Sequence, residues 1–136
     1  MTLNLRKITK NSRVAFDRKV DPTQKNRVLK KFASLLQKNI KKIIKENHKD
    51  IKFAKKKKIK DNLIKRLKID EKKINNIIKS INKIVKIKDP TNRILEKWKR
   101  PNGLIIKKVT VPIGVIAVIY ESRPNVTSDI ASLCFK

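Results

Sequence analysis

Cysteine, histidine and glycine are almost missing from this 136-residue chain. Cys134 and His48 are each the only residue of their type, which excludes an internal disulfide, a cysteine-based metal cluster and a pair of histidine ligands. We therefore expect no metal site. The chain has two glycines and only 4% aromatic residues, so we expect few tight turns and a mostly aliphatic core.

Long apolar runs are also missing. No stretch reaches the roughly 18 apolar residues that a membrane-spanning helix requires. Residues 1–17 contain no continuous apolar segment of the kind found in a signal peptide. Together with the single cysteine, these features predict a cytoplasmic protein without a membrane partner.

Acidic residues are scarce, with 11 against 38 basic ones and a net charge of +27. Such a charge is typical of nucleic-acid-binding proteins. However, 30 of the basic residues are lysine and 8 are arginine, whereas specific recognition favours the bidentate fork of arginine. The lysines are also spread along the helical segments. We therefore expect a solvated lysine surface and consider nucleic acid an unlikely partner, and we keep a basic helical nucleic-acid-binding module as the alternative function.

Helical periodicity extends over residues 1–90 and defines four segments, three of which have N-terminal signals. Asp21 and Pro22 form an N-cap followed by proline at the first helical position, and Asp61 and Asp70 stand where caps are expected. Residues 50–58 are ambiguous. The predicted helices cover residues 3–16, 22–47, 61–67 and 71–85, and the Asp89-Pro90 pair ends the last one.

From residue 91 onward the pattern changes to strands. Residues 94–98 and 104–111 read as two strands joined by a turn at residues 101–103. Residues 115–120 are nearly all apolar, which predicts a strand buried on both faces, as in a parallel sheet. A helix follows over residues 126–135, with Thr127 or Ser128 as its cap.

The predicted order of elements is that of an α/β domain over residues 1–136, helical in 1–90 and built from strands, a loop and a helix in 91–136. The chain ends after one strand and one helix, without the return strand that would bury the helix face. We therefore expect a truncated domain.

Three stretches carry a resemblance to a known family: RPNGL at residues 100–104, VPIGVI at 111–116 and IYESRPNVT at 119–127. They closely resemble gamma-glutamyl phosphate reductase, also called glutamate-5-semialdehyde dehydrogenase, of the aldehyde dehydrogenase superfamily. KNRVL at residues 25–29 and Asp89-Pro90 agree with it. The resemblance is strong over residues 100–136 and weak over residues 1–90, and its specific part is the string YESRPNVT.

The resemblance implies a fold, an activity and partners. The fold would be N-terminal helices leading into the first strands of a Rossmann-like aldehyde dehydrogenase cofactor domain. The activity would be NADPH-dependent reduction of L-glutamyl 5-phosphate to L-glutamate 5-semialdehyde in proline biosynthesis. A homo-oligomer at full length and glutamate 5-kinase are the further partners that it implies. An acylating aldehyde dehydrogenase that uses an acyl-thioester is a third reading, and the string Glu121-Ser122-Arg123 disfavours it.

The resemblance also implies that the catalytic cysteine is not in this chain. In that family a cysteine thiolate attacks the acyl phosphate, and this cysteine lies far downstream of the residues present here. Cys134 does not match it, and we expect Cys134 to be a small buried residue on the apolar face of the last helix. The family's glycine-containing turn also lies beyond Lys136, so the cofactor-binding residues are unknown and we expect residues 1–136 alone to be inactive.

Arg123 and Asn125 are the candidate site residues. In the wider superfamily an asparagine beyond the equivalent strand donates its amide to the oxyanion, so Asn125 is a candidate oxyanion and substrate donor. Its alternative role is a helix N-cap or a loop hydrogen bond. Arg123 is a candidate for binding the substrate's carboxylate or phosphate, against a structural ion pair with Glu121 or Asp129. Glu121 and Ser122 are expected to shape the loop.

Overall fold

Isoleucine-rich helices and one β-hairpin make up this computed structural model, which describes residues 4–121 and 123–136. The mixed α and β content predicted from the sequence is confirmed. In chain order, the described elements are α1 (Leu5–Asp17), α2 (Pro22–Lys38), α3 (Ile40–Lys56), α4 (Asp61–Leu67), α5 (Glu71–Lys86), β1 (Ile94–Lys99), β2 (Ile105–Val109) and α6 (Pro124–Phe135).

Helix α1 begins at Leu5. The side chain of Asn4 caps the helix by accepting a hydrogen bond of 3.0 Å from the backbone N–H of Lys7. The predicted start at Leu3 lies outside the described residues. None of the side chains of α1 is buried.

The long helix predicted over residues 22–47 is wrong, because the chain forms two helices there. Helix α2 ends at Lys38, and α3 starts at Ile40 and continues to Lys56. Asn39 separates them with φ −109° and ψ 13°. Its side-chain amide donates to the carbonyl of Leu35 over 2.8 Å, so the asparagine competes with the backbone for a helical acceptor. The ambiguous residues 50–56 therefore belong to α3.

Two of the three predicted aspartate caps are confirmed. The carboxylate of Asp21 accepts from the backbone N–H groups of Thr23 and Gln24, and that of Asp70 accepts from the N–H of Lys73 over 2.8 Å. The prediction for Asp61 is wrong. Asp61 is already the first residue of α4, and Lys60 is its N-cap without a side-chain hydrogen bond.

The hydrophobic core is formed by helices, and α5 is at its centre. Its buried isoleucines recur at intervals of three and four residues and so lie on one helix face, which packs against α2 and α6. Phe32, Leu36, Ile78 and Val85 pack around the core half-buried. The buried apolar residues of the core are Leu29, Ala33, Ile40, Ile69, Ile74, Ile77, Ile81 and Ile84.

Strands β1 and β2 form an antiparallel hairpin, which confirms the two predicted strands. Arg100 and Leu104 close the turn: the N–H of Arg100 donates to the Leu104 carbonyl over 2.8 Å. Gly103 has φ +86° there, a conformation that favours glycine. Glu96 and Lys108 form an ion pair of 3.0 Å across the strands.

The predicted buried strand over residues 115–120 is wrong. These residues form no helix or strand, and all of them are exposed. Ile113 is 89% exposed and Ile119 is fully exposed. A strand needs a hydrogen-bonded neighbour, and within the described residues β1 and β2 pair only with each other. The parallel sheet of a Rossmann-like domain is therefore not formed by residues 4–121 and 123–136.

The chain divides into two compact units. One comprises the described parts of Met1–Val20 and Lys88–Ala117, and the other Asp21–Ile87 and Val118–Lys136. The first holds α1 and the hairpin, and the second holds α2 to α6. None of the helices described in either unit combines the length and apolar character that crossing a membrane requires.

Candidate functional site

The resembling string IYESRPNVT leads into helix α6 of the second unit. Pro124 is the first residue of α6, where its fixed φ fits and its missing N–H has no helical partner to lose. A proline also keeps the preceding residue extended, and Arg123 has φ −97° and ψ 118°. Arg123 is thus the N-cap, and its side chain makes no capping hydrogen bond.

An open cleft of about 560 Å³ lies beside this loop, within the second unit. Side chains from α3 form one wall, the segment that joins α4 to α5 forms another, and the loop with the first turn of α6 forms the third. Its lining is partly apolar and includes charged side chains of both signs. The lining residues are Asn39, Lys42, Ile43, Glu46, Asn47, Asp50, Leu67, Ile69, Tyr120, Arg123, Pro124 and Thr127.

Two arginines flank the carboxylate of Glu121. Arg66, on α4, places Nη1 2.8 Å from Oε2 of Glu121, and Arg123 places Nε 4.0 Å from the same oxygen. The backbone N–H of Arg123 also donates to the Glu121 carbonyl over 2.7 Å. The ion pair between Arg123 and Glu121 that the sequence suggested is therefore present. Ser122, the other residue expected to shape the loop, lies outside the described residues.

Asn125 does not cap α6, so that prediction is wrong. It lies in the first turn of the helix, one residue after Pro124, where its side-chain amide donates to Oδ2 of Asp129 over 3.3 Å. An amide NH₂ group carries two hydrogens, and this contact uses one of them. Asn125 is exposed.

Thr127 and Ser128 do not cap α6 either, because the proline starts the helix before them. The hydroxyls of Thr127 and Tyr120 lie 2.8 Å apart and tie the loop to the helix. Ser128 donates to the carbonyl of Asn125 over 2.8 Å. Both side chains therefore brace the first turns of α6 from within the helix.

Cys134 is exposed, so the prediction that it is buried is wrong. The face of α6 that is buried carries Ser128 and Ser132 at a spacing of four residues. Helix α6 packs against α5. Cys134 lies outside that face. The apolar character of the residues could not predict this, because the buried face carries serines.

Arg66 and Asn47 are the residues that sequence reasoning missed. Arg66 meets Glu121 from 55 positions away, and no local pattern indicates such a contact. The only sequence signal for Arg66 is its residue type, since it is an arginine in a chain whose basic residues are mostly lysine.

Among the described residues, no three His, Cys, Asp or Glu side chains cluster as a metal site would need.

Known proteins match the chain closely, although no protein-family model does. Gamma-glutamyl phosphate reductase of Thermoanaerobacter pseudethanolicus is 50% identical over 117 residues, which is 86% of this chain and 28% of that protein. The enzyme of the same name from Nautilia profundicola is 46% identical over 131 residues, 96% of this chain and 31% of that protein.

Solved structures agree with the sequence matches. The crystal structure of gamma-glutamyl phosphate reductase from Thermotoga maritima superposes with a TM-score of 0.91 at 36% identity, covering 98% of this chain and 33% of that one. The Saccharomyces cerevisiae enzyme gives 0.90 at 28% identity, covering 99% of this chain and 35% of that one. The chain is a homologue of the gamma-glutamyl phosphate reductases.

The resemblance to gamma-glutamyl phosphate reductase is thereby confirmed over most of the chain, including the residues 1–90 where the motifs are weak. These matches do not favour the alternative of a nucleic-acid-binding module. The chain spans about three tenths of the length of the curated reductases that it matches. The helices and the hairpin described above are therefore an architecture shared with part of the Thermotoga maritima reductase.

Proposed function

We propose that the protein carrying this chain is an NADPH-dependent reductase of L-glutamyl 5-phosphate in proline biosynthesis. In the overall reaction the acyl carbon gains a hydride from NADPH, phosphate leaves, and L-glutamate 5-semialdehyde and NADP⁺ are released. The observation that carries the proposal is the 46–50% identity to gamma-glutamyl phosphate reductases over 86–96% of the chain. The agreement of the backbone with the Thermotoga maritima structure supports it.

Arg123 is proposed to bind the carboxylate or phosphate of the substrate. It stands at the edge of the cleft and at the N-terminus of α6, so its guanidinium and the helix end add positive potential at the same place. Asn125 is proposed to donate its amide to the substrate or to the oxyanion. Its NH₂ group keeps one hydrogen beyond the Asp129 contact.

The nucleophilic cysteine is proposed to lie outside these 136 residues. Cys134 is the penultimate residue of α6, at the carbonyl end of the helix. Nucleophilic cysteines occupy electropositive surroundings such as a helix N-terminus, whereas Cys134 lies at the opposite end of α6. On this proposal, residues 1–136 alone do not catalyse the reaction.

The described residues do not fit a dinucleotide. A dinucleotide site of the Rossmann type needs a glycine-rich turn between a strand and a helix N-terminus. Gly103 lies in the hairpin turn, and Gly114 lies in the exposed segment with φ +106°. Neither immediately precedes a helix, so we derive no step through the cofactor from this chain.

The proposal that the protein is a reductase includes four further properties. They are the parallel sheet of a Rossmann-like domain, a cytoplasmic location, a homo-oligomer, and glutamate 5-kinase as a partner.

A reverse assay on the purified protein tests the proposal. We expect NADPH to form when L-glutamate 5-semialdehyde is supplied with NADP⁺ and inorganic phosphate, and we expect no NADPH when phosphate is left out. In this direction Arg123→Ala should raise the KM for L-glutamate 5-semialdehyde or for inorganic phosphate roughly tenfold, as expected for the loss of a charge-assisted hydrogen bond. A folded protein that forms no NADPH, or that forms it equally well without phosphate, would contradict the proposal.

A further inference from the structure

We propose that Arg66 is a positioning residue that keeps Arg123 available for the substrate anion. It acts by engaging Glu121, the carboxylate that would otherwise form a direct hydrogen bond with the Arg123 guanidinium. This inference rests on the proposed function and extends it to a residue on another helix. Arg66 stands at the sixth position of α4 and does not line the cleft.

The distances show that the two arginines contact Glu121 in different ways. Oε2 of Glu121 lies 2.8 Å from Nη1 of Arg66 and 4.0 Å from Nε of Arg123. The first is a charge-assisted hydrogen bond, and the second is an ion pair without one. The carboxylate is thus committed to Arg66, and Arg123 feels its charge without being bound to it.

Backbone geometry links Glu121 to Arg123 as well. The N–H of Arg123 donates to the carbonyl of Glu121 over 2.7 Å, which joins the backbones of the two residues. By holding Glu121, Arg66 therefore also fixes the place at which Arg123 meets the cleft. Helix α4 and the loop before α6 belong to the same compact unit.

Loss of Arg66 would release a competitor. Glu121 would remain two residues from Arg123, and its carboxylate would compete with the substrate anion for the guanidinium. The side chains of Arg66, Glu121 and Arg123 are 45%, 60% and 47% exposed, so solvent screens the competition and its effect is moderate. A residue that only braced the loop would have a different signature, because removing the Glu121 charge would not repair its loss.

Steady-state kinetics of four variants test this role. Arg66→Ala should raise the KM for the anionic substrate about fivefold, the upper end for an exposed ion pair, with kcat nearly unchanged. Arg66→Ala combined with Glu121→Gln should return the KM to within about twofold of wild type. Arg66→Lys should raise this KM much less than Arg66→Ala does. Lys65→Ala, on the same helix, is the matched control and should change neither constant.

Two kinetic results would overturn the proposal. One is an unchanged KM in Arg66→Ala. The other is a raised KM that persists when Glu121 becomes glutamine, since that identifies a bracing role alone.

Chemical labelling tests the same role without catalysis. Phenylglyoxal modifies arginines, and a carboxylate hydrogen-bonded to the guanidinium slows the reaction because it blocks the approach of the reagent. Peptide mass spectrometry should show Arg123 labelled several-fold more slowly in Arg66→Ala than in wild type, and at the wild-type rate in the double variant. Equal labelling of Arg123 in all three proteins would refute the role of Arg66. A wild-type protein without reductase activity would refute the proposed function, and the labelling would still decide the role of Arg66.

Discussion

Asn47 joins helix α3 to the segment between α4 and α5. Its amide donates to the carbonyl of Leu67 over 3.0 Å, and its side-chain oxygen accepts from the N–H of Ile69 over 2.9 Å. The side chain is buried, so both contacts are made away from water. Since Leu67 and Ile69 also line the cleft, Asn47 connects the stability of the helical unit to the shape of the candidate site.

Replacing Asn47 should destabilise the protein clearly. In Asn47→Ala the buried N–H of Ile69 and the carbonyl of Leu67 lose their partner, and we expect the free energy of unfolding to fall by about 2 kcal/mol. Urea denaturation measures the change. His48→Ala, at the exposed neighbouring position, is the control and should have little effect. Equal stability of the two variants would show that the Asn47 contacts do not hold the helices.

Glu46 is a second residue with a defined electrostatic environment. The hydrogen bond from Lys49, 2.9 Å long, is the main cause that holds the pKa of Glu46 below its ordinary value of 4.5, and Lys45 and Lys42 add to it. A carboxyl group whose pKa is lowered in the folded state stabilises that state at pH values above the group's pKa in the unfolded chain. This stabilisation is lost as the pH falls through the group's pKa in the folded state. The contribution is therefore present above about pH 4.5.

Removing Lys49 should move the pKa of Glu46 upward. In Lys49→Gln we expect that pKa to rise toward 4.5, because the charged hydrogen-bond donor is gone. Titration of the Glu46 side chain by NMR measures it. Lys52→Gln, on the same helix, is the control and should leave the pKa where it is. A titration curve of Glu46 that is identical in Lys49→Gln and wild type would contradict the assignment.

At the scale of elements, helix starts differ in how their first N–H groups are satisfied. Asp70 caps α5 with its side chain, whereas Asp61 lies inside the first turn of α4 and makes no cap. A capping hydrogen bond stabilises a helix by about 1 kcal/mol, and a charge in the first turn adds a smaller dipole term. The two aspartates therefore form a natural comparison.

Asp70→Ala should destabilise the protein more than Asp61→Ala. We expect losses of about 1 kcal/mol and about 0.3 kcal/mol in the free energy of unfolding. Urea denaturation of both variants measures the difference. Asp70→Asn should recover most of the loss, since its side-chain oxygen also caps. Two equal losses would show that the Asp70 cap contributes nothing beyond its charge.

Local signals predicted the elements that depend on local chemistry. The isoleucine face of α5, the Asp21-Pro22 start of α2 and the hairpin turn at residues 100–104 each follow from a few neighbouring residues. The break at Asn39 was missed because the apolar spacing continues through it. At this break the side-chain amide of Asn39 donates to the Leu35 carbonyl, a contact that apolar periodicity does not indicate.

Contacts between distant parts of the chain could not be predicted in the same way. Residues 115–120 have the composition of a buried strand, but a strand also needs a neighbour, which the described chain does not give them. The loop before α6 was singled out from its motif, and the substrate roles of Arg123 and Asn125 stay predictions. The Arg66 contact was not found, because it depends on how α4 packs and joins residues 55 positions apart.

At the scale of the whole molecule, the apolar segment 111–120 is exposed over most of its length. Val111, Ile113 and Ile119 are well exposed, and the backbone between them forms no helix or strand. An exposed, extended apolar stretch can pair with the same stretch of another copy. Residues 1–136 expressed alone should therefore self-associate in spite of the net charge of +27.

Light scattering at increasing concentration measures this association. We expect the mean mass of residues 1–136 to rise with concentration, and Ile119→Lys to reduce the rise because a charge on the segment opposes pairing. Lys57→Gln, at the exposed end of α3, should leave the association unchanged. A soluble monomer with a cooperative thermal transition would contradict the prediction.

Growth without proline is the most direct measure of what the protein does. The protein that carries this chain should restore growth on proline-free medium to a bacterial strain that lacks gamma-glutamyl phosphate reductase. Because Arg123 is proposed to bind the substrate, Arg123→Ala should restore growth poorly and Lys65→Ala fully. If the protein accumulates in soluble form and the strain still requires proline, while a reductase from a relative restores growth, the proposed function is wrong.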